Sequence, residues 1–77
     1  PSDIDVELLD ALRAWRLETS RAQSVPAYVV FTDVTLTAVA EQRPDGLDAL
    51  ARIPGIGPKK LDAYGEVVLG LVRDHRA

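Results

Sequence analysis

The amino-acid sequence predicts an all-α fold, a compact single-domain bundle of four to five helices. Three observations lead there. Apolar residues recur at helical spacing in separate stretches, proline and glycine punctuate the gaps, and 77 residues leave room for one modest core. Hydrophobic residues make up 47% of the chain and charged ones 27%, a globular rather than a disordered balance.

The first helix is expected from Ile4 to about Gln23. Leu8, Leu9, Leu12 and Trp15 mark its apolar side, Asp10, Arg13, Glu18 and Arg21 fall between them, and Ser2 or Asp3 can cap its start. Next comes Ser24-Val25-Pro26-Ala27-Tyr28-Val29-Val30-Phe31. Its proline and β-branched run predict a buried extended or single-turn linker. Thr32-Asp33 offers an N-cap to a helix carrying Leu36, Val39 and Ala40, which must stop before Pro44. Asp45 can cap a short helix with Leu47, Leu50 and Ala51, and Asp48 suits its first turn. After a proline- and glycine-rich break, Pro58 suits the first turn of a last helix. Leu61, Tyr64, Val68, Leu71 and Val72 form its apolar stripe, which ends near His75.

Composition removes several kinds of function. Without cysteine there are no disulfides, thiolate metal sites or thiol chemistry. The longest apolar stretch, Ala27 to Phe31, is far shorter than the roughly 20 residues that cross a bilayer. His75 is the lone histidine and has no partner in the sequence for catalysis or metal binding. No phosphate-binding P-loop, Ser–His–Asp set or paired acid and base stands out, so no catalysis and no cofactor are expected. Pro1 in place of methionine leads to the expectation of a fragment of a larger protein, residues 1–77 being one accessory domain. Seven arginines against two lysines, with abundant alanine and valine, fit a high-GC bacterial source.

The segment richest in chemistry is Leu47-x-x-Leu50-x-x-Ile53-Pro54-Gly55-Ile56-Gly57-Pro58-Lys59-Lys60-Leu61. Its Gly-x-Gly turn presents backbone N–H groups at a helix start, where the dipole attracts an anion. Lys59 and Lys60 in that first turn oppose the dipole, which makes more sense if a phosphate visits. On the alternative reading Gly55 and Gly57 merely permit a tight corner and the lysines are solvated.

This segment resembles the helix-hairpin-helix motif of DNA-binding proteins. A wider pattern adds Leu12-x-x-Trp15-Arg16, Val25-Pro26-Ala27-Tyr28-Val29-Val30-Phe31, Thr32-Asp33-x-Thr35-Leu36 and Tyr64-Gly65. Over nearly the whole chain, and in this order, it resembles the helicase and RNase D C-terminal (HRDC) domain. The resemblance implies a five-helix bundle from a bacterial RecQ-type DNA helicase, in the cytoplasm and associated with the nucleoid; such domains also occur in RNase D relatives and some bacterial UvrD-like helicases. It further implies weak binding of single-stranded or branched DNA through Arg13, Arg16 and Tyr28. A base can stack on tyrosine while arginines hold the flanking phosphates. Alternatively Tyr28 packs beside Val25 and the arginines pair with Asp10 or Glu18. Trp15 on the apolar stripe reads as core, or as a stacking platform.

Charge tempers that picture. The chain has twelve acidic residues and a net charge of −3, and Asp3, Asp5, Glu7 and Asp10 crowd the start of the first helix. Phosphate neutralisation supplies most non-specific DNA affinity, so binding here should be weak and local. Two alternatives remain. An acidic module can dock on the parent helicase core or on a repair protein, which would make it regulatory. The equivalent domain of an RNase D-like exonuclease is the less favoured reading.

Overall fold

Five α-helices make up the computed structural model, which describes residues 5–75. Helix α1 runs Val6–Gln23, α2 Ala27–Val30, α3 Asp33–Gln42, α4 Leu47–Ala51 and α5 Pro58–Asp74.

The caps explain most of the boundaries. Asp5 begins α1, its carboxylate accepting from the Leu8 N–H at 3.0 Å; the expected caps Ser2 and Asp3 lie outside the described residues. Ser24 ends α1 in the left-handed conformation. Pro26 then starts a single turn that ends at Phe31 in extended backbone, as expected, but the segment is buried only at Val30 and Phe31, because Tyr28 and Val29 face away from the core. Thr32 caps α3, and Pro58 opens α5. Asp45 does not cap α4. The N-cap is Gly46, which makes no side-chain bond, because Asp45 lies one residue too early to reach the first-turn N–H groups.

Leu8, Leu12, Val30, Phe31, Leu36, Val39, Leu50, Ile53, Ile56, Val68 and Val72 are buried in one core. Trp15, Leu61, Tyr64 and Leu71 pack against it half-buried. Trp15 is therefore an aromatic wedge, with ring centroids 5.9 Å from Phe31 and 5.4 Å from Tyr64. The stripe expected on α5 is present. Gly65 and Leu69 join it as buried residues that the spacing did not single out.

Helices α1 and α5 run antiparallel. At one end Gln23 donates to the Tyr64 hydroxyl at 2.7 Å. At the other, Arg43 donates to Asp5 and to the His75 carbonyl, each at 3.1 Å. The two ends of the described chain thus meet at one pole, and the end of α2 lies against the C-terminal half of α1, where Arg16 and Trp15 meet Phe31.

Candidate nucleic-acid interface

The glycine turn is built on one residue that must be glycine. Gly55 has φ +94°, and a Cβ there would overlap Thr35 Oγ1. The same hydroxyl donates to the Pro54 carbonyl at 3.0 Å and accepts from Thr32 Oγ1 at 3.1 Å. Gly57 differs. It has extended backbone at φ −90°, ψ 179°, and a Cβ there would point into open space. Gly55 therefore fits the turn against α3, while Gly57 leaves the start of α5 without a side-chain cap.

The two lysines separate in the same way. Lys60 is half-buried and its ammonium donates to the carbonyls of Val29 and, at 2.6 Å, Val30, satisfying the end of α2. It also lies 5.4 Å from the Phe31 ring centroid, within cation–π range. Lys59 is exposed. Replacing Lys60 with methionine takes the donor from the part-buried Val30 carbonyl and leaves that of Val29 to water, so Lys60→Met should cost about 1–2 kcal/mol and Lys59→Met well under 1 kcal/mol, measured by urea unfolding.

On α2, Tyr28 is 69% exposed. A shallow depression of about 270 Å³ beside it is lined by Arg16, Ala27, Tyr28, Thr32 and Asp33. Arg16 is fixed at its edge. Its guanidinium donates to the Phe31 carbonyl at 2.9 Å and to Asp33 at 2.7 Å. The partner is not Asp10 or Glu18, because the fold returns the chain 17 residues later. Arg13 is exposed and forms no ion pair among the described residues.

Asp33's carboxyl is held below its ordinary pKa, chiefly by the hydrogen bond from Arg16, then by that residue's charge, with a smaller contribution from Arg13. Because the folded value is the depressed one, the pair is intact above the usual carboxylate range and is lost only as pH falls below it. At neutral pH this depression thus contains both a cation and a competing anion.

The structure brings the two predicted surfaces together. Thr32 lines the Tyr28 depression, its hydroxyl donates to Thr35, and Thr35 donates to the glycine turn. Lys60 links the start of α5 to α2. Among the described residues no cluster of three or more potential metal ligands occurs, and no helix is long and apolar enough to cross a membrane.

Residues 5–72 match the family model of the HRDC domain. The chain is 58% identical over 72 residues to the ATP-dependent DNA helicase UvrD2 of Mycobacterium bovis, covering 94% of this chain and 10% of that protein. It is 40% identical over 63 residues to the ATP-dependent DNA helicase RecQ of Bacillus subtilis, covering 82% of this chain and 11% of that one. It thus spans about a tenth of the length of these helicases. Among solved structures, the D. radiodurans RecQ HRDC domain 3 superimposes with a TM-score of 0.85 at 40% identity, over 90% of this chain and 91% of that one. Fold, helix order and sequence agree, and the chain belongs to the HRDC domain family.

Proposed function

We propose that this domain is the non-catalytic auxiliary module of an ATP-dependent DNA helicase of a bacterium, acting in the cytoplasm at the nucleoid. It binds single-stranded or branched DNA weakly and modulates how the motor engages its substrate. The observation that carries this reading is the exposure of Tyr28 beside an arginine-edged depression. An aromatic ring in water on the surface of a domain offers a stacking surface to any base, and the arginines hold the phosphates to either side. Similarity to UvrD2 and RecQ supplies the helicase context.

The contact set has an order within it. Tyr28 and Arg13 are open, and Lys59 with the backbone around Gly55 and Gly57 extends the surface along the turn. Arg16 and Lys60 act mainly by holding the site's shape, because their donors are engaged internally. Arg16 becomes a phosphate ligand only when Asp33 yields it. The net charge of −3 keeps affinity low.

Titration of fluorescent oligothymidine at low salt tests this. The domain should bind, with an affinity that falls as salt rises. Arg13→Gln should flatten the slope of log affinity against log salt by about 0.7, the value of one phosphate contact on a single strand. Asp33→Asn should tighten binding by roughly threefold to tenfold, since it removes the anion that competes for Arg16. No binding by the unaltered domain at low salt sinks the proposal.

A further inference from the structure

A second surface lies on the side of α5 turned away from Lys60. An open groove of about 320 Å³ is lined by Leu47, Pro58, Leu61, Asp62 and Glu66. Asp62 and Glu66 fall roughly 120–160° around the helix axis from Lys60, at 100° per residue, so the groove faces away from the contact between Lys60 and α2, while its Pro58 edge adjoins Gly57 and Lys59.

Its floor is apolar and set in place. Leu47 is 40% exposed although it starts a helix that packs on α5. It stays there because Gly65 has no side chain: a Cβ at Gly65 would lie 2.8 Å from Leu47 Cδ2. Pro58 is exposed and Leu61 half-buried beside it. The rim is acidic. Asp62 and Glu66 are exposed, and a spacing of four residues puts them on one helix face, where like charges oppose helix formation by about 0.2–0.5 kcal/mol. Neither carboxylate forms an ion pair among the described residues, including with Lys59 one turn earlier. An apolar floor flanked by two unpaired carboxylates repels phosphate and is complementary to a cation that carries an aliphatic neighbour.

We infer that this groove docks a basic helical segment of a partner polypeptide. One leucine-sized side chain seats on Leu47, Pro58 and Leu61, and arginines or lysines one turn to either side pair with Asp62 and Glu66. This goes beyond DNA binding and does not depend on it. Charge complementarity identifies the occupant as basic, and two carboxylates one turn apart beside one apolar seat match cations and a leucine presented at helical spacing.

The test is a chemical-shift titration of the isotope-labelled domain with an alanine-based helical peptide of about 16 residues. The peptide bears one central leucine and an arginine four residues to each side. Shifts should concentrate at the amides of Leu47, Leu61 and Gly65. Replacing the peptide's leucine with alanine should weaken binding at least about fivefold. The Asp62→Asn/Glu66→Gln double variant, whose helix content is checked by circular dichroism, should weaken it by about tenfold. Three outcomes overturn the inference. One is the absence of shifts, and another is a spread of shifts over Asp5, Glu7 and Asp10 with indifference to the leucine, which is charge attraction alone. The third is a shift of the groove amides with protein concentration alone, alongside a dimer in sedimentation, which makes a second copy of this chain the occupant.

Discussion

Gly55→Ala is expected to lower the melting temperature by roughly 10–25 °C. Two costs add. Alanine at a positive φ is disfavoured by about 1–2 kcal/mol. The new methyl group also enters the space of Thr35 Oγ1 and breaks the hydroxyl's bond to Pro54, which costs about 1 kcal/mol more. For a domain of this size 1 kcal/mol moves the midpoint by about 4–8 °C. Gly57→Ala is the internal comparison. Its backbone is already extended and its Cβ meets nothing, so the cost should stay under about 1 kcal/mol, from poorer capping alone. In a Thr35→Ala background the Gly55→Ala penalty should shrink to the backbone part. Equal penalties in both backgrounds would falsify the steric account.

The helix boundaries show where the sequence was sufficient, and these two glycines, which it did not tell apart, show where it was not. Caps and breakers act over a few residues, so Thr32, Pro58 and the stop before Pro44 place helix boundaries correctly. The apolar stripe of α5 is legible for the same reason, since its period is local. Gly65 is not, because the need for it comes from Leu47, which is far away in sequence and touches it only after α4 folds back. Arg16 fails in the same way. Helical spacing offers Asp10 and Glu18 as partners, whereas the fold supplies Asp33. Lys60 could be read as a phosphate ligand because nothing in the sequence shows that the carbonyls of Val29 and Val30 end against it. Local chemistry is written in order along the chain. Pairing across the bundle is decided by tertiary geometry.

That distinction sharpens what the candidate site can be. Of the seven residues singled out from the sequence, Gly55, Arg16 and Lys60 have internal partners that account for them without any ligand. Tyr28 has none. The residue is 69% exposed, so its ring is free to meet a strand. Burial of an aromatic ring is favourable in folding, and a ring left in water on a small domain gains that free energy only on contact with something flat and apolar. A nucleobase between two held phosphates meets that description.

Tyr28→Ala should therefore weaken oligothymidine binding by about 5- to 150-fold, the range that corresponds to losing 1–3 kcal/mol of base stacking. Tyr28→Phe should keep most of the affinity, because stacking needs the ring and not the hydroxyl. Stability should change by no more than about 0.5 kcal/mol in either variant, since the side chain contributes little to the core. The salt dependence separates this from the arginine effects. Tyr28→Ala should shift the line of log affinity against log salt downward without altering its slope, whereas Arg13→Gln alters the slope. A Tyr28→Ala domain that binds as tightly as the unaltered one, at every salt concentration, would remove stacking from the site and leave only the charges. With a net charge of −3, those charges alone are a poor basis for holding DNA.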